Sequence, residues 1–92
     1  MRITVRFRGP LANQMDSDSG QFEVPDSASL RELLVLLITG NDTVRETWNS
    51  PEHIDRDTLI LRNEVDVGLT GGLETELADG DVFVILPLVH GG

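Results

Sequence analysis

Residues 29–40, SLRELLVLLITG, are the one stretch of this 92-residue chain whose apolar residues return at helical spacing. Leu30, Leu33, Leu34, Leu37 and Ile38 fall three and four apart, which puts them on one face of a helix. Ser29 stands three residues before Glu32, the spacing at which a hydroxyl and a carboxylate cap a helix N-terminus together, and Gly40 closes the run. The predicted helix covers about 30–39. A chain with one such helix has one amphipathic lid, so its other apolar residues must be arranged beneath that lid.

Those residues read as strands. In RITVRFR (2–8), Ile3, Val5 and Phe7 alternate with Arg2, Thr4, Arg6 and Arg8, the period of a strand with one covered and one wet face. A loop by composition, rich in Gly, Pro, Asn, Asp and Ser, fills 9–20 and leads to QFEV (21–24), with Phe22 and Val24 inward. Residues 41–57, which include Trp48, Pro51, His53 and Ile54, are polar and irregular, a loop with at most a short helical turn. TLILRNEVDV (58–67) reads as strand, turn and strand, because Asn63 tolerates positive φ between β-forming flanks. A glycine-rich connection ends in the turn Asp79–Gly80–Asp81, and VFVILPL is the last strand. The expected class is α+β: a mixed sheet of four to five strands with one main helix packed on one face.

Two of these strands, 58–61 and 82–88, are apolar on both faces, yet one helix covers only one side. With Leu59, Leu61, Phe83 and Ile85 turned inward beside Ile3, Val5 and Phe7, the outward set is Ile60, Val82, Val84 and Leu86. An apolar patch of that kind marks a partner surface, and Ile60, Val84 and Leu86 are the docking candidates. The rival arrangement folds 41–57 back across this face with Trp48.

Length and composition narrow the function. Ninety-two residues suffice for one small core, so 1–88 is expected to be a single domain. Sixteen Asp and Glu stand against seven basic residues, all arginine, for a net charge of -9; a nucleic-acid-binding face would need clustered cations that this chain lacks. A lysine-free acidic surface suits concentrated salt, where the Debye length falls to roughly 3 Å. There is no cysteine, which removes thiol chemistry and disulfides. No apolar run approaches the ~20 residues of a membrane span, and no signal peptide is evident, so the expected location is cytoplasmic.

Val89, His90, Gly91 and Gly92 follow the last strand as an expected flexible tail over 89–92. Two residues without side chains let a backbone enter a channel too narrow for any Cβ, and they leave the terminal carboxylate reachable. The candidate chemistry lies on that carboxylate. Other signals carry less. His53 has no second His or Cys at ligand spacing, so no metal site is expected. His90 reads as a solvated side chain, and Asp79 and Asp81 flank a turn glycine where Asp is favoured for local hydrogen bonds. The Arg2, Arg6 and Arg8 row reads as a solubilising face. No phosphate-cradling G-x-x-x-x-G-K-[ST] occurs, so no nucleotide is expected on this chain.

LADGDVFVILPLVHGG resembles the C-terminal signature of the MoaD/ThiS-like, ubiquitin-related β-grasp proteins. SLRELLVLL and HIDRDTLILRNEVDV are similar to that family's helix and its strand-turn segment, so the likeness covers nearly the whole chain. It is strongest toward the archaeal branch, the small archaeal modifier proteins. Leu88 stands where these tails often carry a second proline, and His90 where a small residue is common. The resemblance implies a non-enzymatic substrate: an E1-like enzyme, holding the ATP and Mg itself, would adenylate the carboxylate of Gly92, with Gly91, Val89 and His90 entering that partner. The acyl group would pass to lysines of target proteins as a modifier, and also to sulfur as a terminal thiocarboxylate. One alternative is a dedicated sulfur carrier serving molybdopterin synthesis or tRNA thiolation, with a sulfurtransferase or a large molybdopterin synthase subunit as partner. Another is a β-grasp interaction module that is never conjugated.

Overall fold

The structure, a computed structural model, describes residues 1–9, 12 and 19–88. Strand β1 spans Arg2–Phe7 and β2 spans Ser19–Glu23; helix α1 covers Leu30–Gly40, α2 Asp42–Thr47 and α3 Pro51–Asp57. Strands β3 (Thr58–Arg62), β4 (Val65–Asp66) and β5 (Val82–Pro87) complete a five-stranded sheet in the order β2-β1-β5-β3-β4. Only β1 and β5, at its centre, run parallel, and every other pair is antiparallel. One main helix over a mixed sheet of this order is the ubiquitin-like β-grasp.

The predicted helix forms with its predicted cap: Ser29 Oγ accepts from the Glu32 N–H, and Leu30, Leu33, Leu34, Leu37 and Ile38 are its buried residues. They meet Ile3, Val5, Phe7, Phe83 and Ile85 from the sheet in one core. Fully burying each such side chain contributes about 1.5–3 kcal/mol, so this helix face is the main adhesive of the domain. At the Arg62–Val65 hairpin, Asn63 and Glu64 both hold positive φ (48° and 75°), the pattern of a two-residue type I′ turn. The glycine-rich stretch before β5 winds through two 3₁₀ turns, Val67–Leu69 and Gly72–Glu74, and buries Val67, Leu73 and Leu77 at the core margin. It is held across the start of α1 by Leu30 N–H to Thr75 O (2.9 Å) and Leu77 N–H to Ala28 O (3.1 Å). The loop predicted over 9–20 lies mostly outside the described residues.

Two expectations are corrected. Residues 41–57 are not a loop with one turn but two capped helices. Asn41 Oδ1 accepts from the Val44 N–H (3.1 Å) at the start of α2, and Ser50 Oγ from the His53 N–H (3.2 Å), with Pro51 in the first turn of α3. Each buries a single helical residue, Val44 or Ile54, so neither shows apolar periodicity in sequence. Trp48 is 3% exposed and belongs to the same core as α1, so this segment packs on the helix side of the sheet and does not fold over the other face.

The phase of β3 is also reversed. Ile60 is 2% exposed and lies opposite Ile85 on the core face, whereas Leu59 and Leu61 face outward and are half-buried. The cause is the junction with α3, which ends directly in the strand. Thr58 caps that helix, its backbone N–H bonding to Ile54 O, and its hydroxyl donates to the same oxygen at 2.6 Å. The side chain of Thr58 is thereby buried on the core side, and strand alternation carries Ile60 inward after it.

Candidate functional site

The face of the sheet opposite α1 is built in rows that follow from register. Across the parallel β1–β5 ladder, Thr4 lies beside Val82 and Arg6 beside Val84. Across the antiparallel β5–β3 ladder, Val84 lies beside Leu61 and Leu86 beside Leu59. Leu59, Leu61, Val82, Val84 and Leu86 thus form one apolar strip, all half-buried, bordered along β1 by the exposed Arg6 and Arg8. A shallow depression of about 350 Å³ opens on it between Arg6, Arg8, Val82 and Val84 on one side and Asn63 and Glu64 on the other.

Of the docking residues named from sequence, Val84 and Leu86 are on this strip and Ile60 is not, since it is in the core. Leu59 and Leu61 take its place. The signal that would have found them is the antiparallel register, because directly opposed residues share a face and Leu59 opposes Leu86.

β5 carries the strip toward the chain terminus. Arg8 N–H bonds to Ile85 O (3.1 Å) on one side, and on the other Leu88 N–H bonds to Asp57 O (3.1 Å), so the strand is held from the β1 side up to Ile85 and from the β3 side up to Leu88. Val89, His90, Gly91 and Gly92, the candidate tail, lie outside the described residues. Any group transfer at Gly92 would therefore take place only four residues beyond the last backbone hydrogen bond of the strand's end.

The far end of β5 is anchored by Asp81. The residue is 5% exposed, and its carboxylate accepts from Arg62 Nε (2.9 Å), Asn63 Nδ2 (3.0 Å) and the Ala78 N–H (2.8 Å). Asn63 in turn accepts from the Val82 N–H at 3.0 Å. Burial by itself would raise the Asp81 pKa, but the bonds from Ala78, Asn63 and Arg62 and the guanidinium charge outweigh it and hold the carboxyl below the usual value. Asp81 ties the β3–β4 turn to the start of β5, which is structural work; Asp79, exposed, accepts from the Arg2 N–H (2.8 Å). Neither faces a reacting group. His53 pairs with Asp57 one turn along α3, Nε2 to Oδ2 at 3.0 Å. Among the described residues, no group of three or more His, Cys, Asp or Glu is placed to hold a metal, and no helix is long and apolar enough to cross a membrane.

A sequence profile described as the ThiS family matches residues 5–92. The sulfur carrier protein CysO of Mycobacterium tuberculosis is 48% identical over 44 residues, which are 48% of this chain and 47% of that protein, so the match spans about half of each. The crystal structure of SAMP1 from Haloferax volcanii superposes with a TM-score of 0.79 at 19% identity, covering 100% of both chains. A chain in the crystal structure of the Amycolatopsis orientalis BexX/CysO complex does so with a TM-score of 0.70 at 27% identity, covering 98% of this chain and 99% of that one.

Proposed function

The chain belongs to the ThiS family, whose members are small carrier and modifier proteins and not enzymes, and on that premise we propose that its working group is the carboxylate of Gly92. A carboxylate oxygen of Gly92 attacks the α-phosphorus of ATP held with Mg on an E1-like enzyme, pyrophosphate leaves, and an acyl adenylate remains. Hydrosulfide then displaces AMP to leave a terminal thiocarboxylate, or a lysine amine displaces AMP, losing a proton, to form an isopeptide bond. The protein contributes a slim terminus, the rigid strand behind it and a docking face. Val89 and His90 would enter the partner with the terminus, and the reaction belongs to the cytoplasm, where ATP and reduced sulfur are at hand.

Sulfur carriage is the first of the two exits, which reverses the order expected from sequence. A relative similar at the level of sequence over 44 residues is a sulfur carrier, whereas the likeness to SAMP1, at 19% identity, speaks for fold. The chain's lack of lysine and cysteine suits either exit, since it offers no side chain that would capture its own activated terminus. The observation that carries the reading is a family match that runs from Val5 through the last strand and includes Gly91 and Gly92.

The test is the intact mass of the protein recovered from its own cells, beside that of a version lacking Gly92. An oxygen-to-sulfur mass gain on the complete chain, absent from the shortened one, is the expected result. Larger adducts joining Gly92 to lysines of other proteins would instead place conjugation first. Equal charging of the shortened version by the activating enzyme would refute both.

A further inference from the structure

Seven arginines share this chain with sixteen carboxylates, and five of them are in ion pairs: Arg2 with Glu23, Arg31 with Glu52 and Glu74, Arg45 with Asp42, Arg56 with Asp57, and Arg62 with Asp81. Arg6 and Arg8 have no ion pair among the described residues. Both are exposed, and as alternate residues at the end of one strand they stand about 7 Å apart on the same face. In a chain of net charge -9, cations without carboxylate partners run against the surrounding composition, and two like charges side by side repel. They occur nowhere else in the described structure, and they border Val84 and Leu86, the part of the apolar strip nearest the exit of the tail.

We propose that Arg6 and Arg8 are the charged half of the docking surface for the activating enzyme, and that the enzyme's facing surface is acidic, placing carboxylates against both guanidinium groups while an apolar projection covers Val84 and Leu86. This rests on the reading of Gly92 as the activated group. Planar guanidinium groups take carboxylates through two parallel bonds, which fixes orientation as well as adding attraction. The rest of the chain makes the contact selective. An acidic partner is repelled by most of this surface, so Arg6 and Arg8, unpaired among the described residues, and the strip beside them are where it settles, and that placement points β5 at the nucleotide site. Glu64, on the opposite rim of the depression and in no ion pair among the described residues, sets the sign on that side and permits one orientation of the partner.

The experiment is ATP–pyrophosphate exchange by the E1-like enzyme encoded in the same genome, with the concentration of this chain varied. Arg6→Glu, Arg8→Glu and Arg45→Glu carry identical net charge, and Arg45 is on α2 away from the strip. Each β1 reversal is expected to raise KM for the chain on the order of tenfold with kcat nearly unchanged, and Arg45→Glu to leave KM within about twofold. The neutral pair Arg6→Gln with Arg8→Gln is expected to fall between, and thermal melts check that all variants stay folded. Reversals at Arg6 and Arg8 that behave like Arg45→Glu would overturn the docking role while leaving the Gly92 reading intact. Absence of exchange with the unaltered chain would overturn that reading, and this proposal with it.

Discussion

Asp81 shows how one residue can be read for a local role in sequence, which it fills, and carry a longer-range one in the fold. Beside a turn glycine it reads as a local hydrogen-bonding residue, yet its carboxylate is buried and joins Arg62, Asn63 and Ala78 across the strand ends. Replacing it with Asn keeps the shape and removes the charge from a partly buried pair. Asp81→Asn is expected to lower unfolding free energy by about 2–3 kcal/mol, measured by urea denaturation at neutral pH. The pH dependence has a definite sign. Because the folded pKa lies below the ordinary 3.8, the stabilisation is complete above that value and fades as pH falls through the folded pKa. The gap between the two proteins should therefore shrink below about pH 4; a gap that stays constant into acid would show that the charge is not what stabilises.

At the scale of elements, the strand following α3 carries the lesson. TLILR is apolar on both sides, and nothing in its own pattern says which side meets the core. Packing decides through Thr58, whose side chain is held beneath α3 and sets the alternation that buries Ile60. Removing the buried side chain leaves a cavity, whereas trimming its outward neighbour does not. Ile60→Ala is expected to cost about 2–4 kcal/mol and Leu59→Ala less than about 1 kcal/mol, compared by urea denaturation of both variants. A larger cost at Leu59 would put the strand in the opposite phase. The helices α2 and α3 differ in kind: their caps, Asn41 and Ser50 with Pro51, are visible in sequence, but helices this short are stable only when packed, and one buried residue apiece gives no period to detect.

At the scale of the whole molecule, a surface of net charge -9 repels itself more in the folded state than in the expanded chain. Raising salt from about 0.1 M to about 1 M shortens the Debye length from roughly 10 to 3 Å and should raise Tm by several degrees in a calorimetric scan. A flat or falling Tm would mean that the acidic excess does not govern stability. The span and cap of α1, the inward face of β1 and the turn at Asn63 were all determined by local pattern, because each depends on residues within a few positions of one another. The phase of β3, the side on which 41–57 packs, the membership of Leu59 and Leu61 in the outward strip, and the isolation of Arg6 and Arg8 from every carboxylate among the described residues were decided only by tertiary structure. Each is a relation between segments that meet through strand register and core packing, and such a relation has no signature within either segment alone.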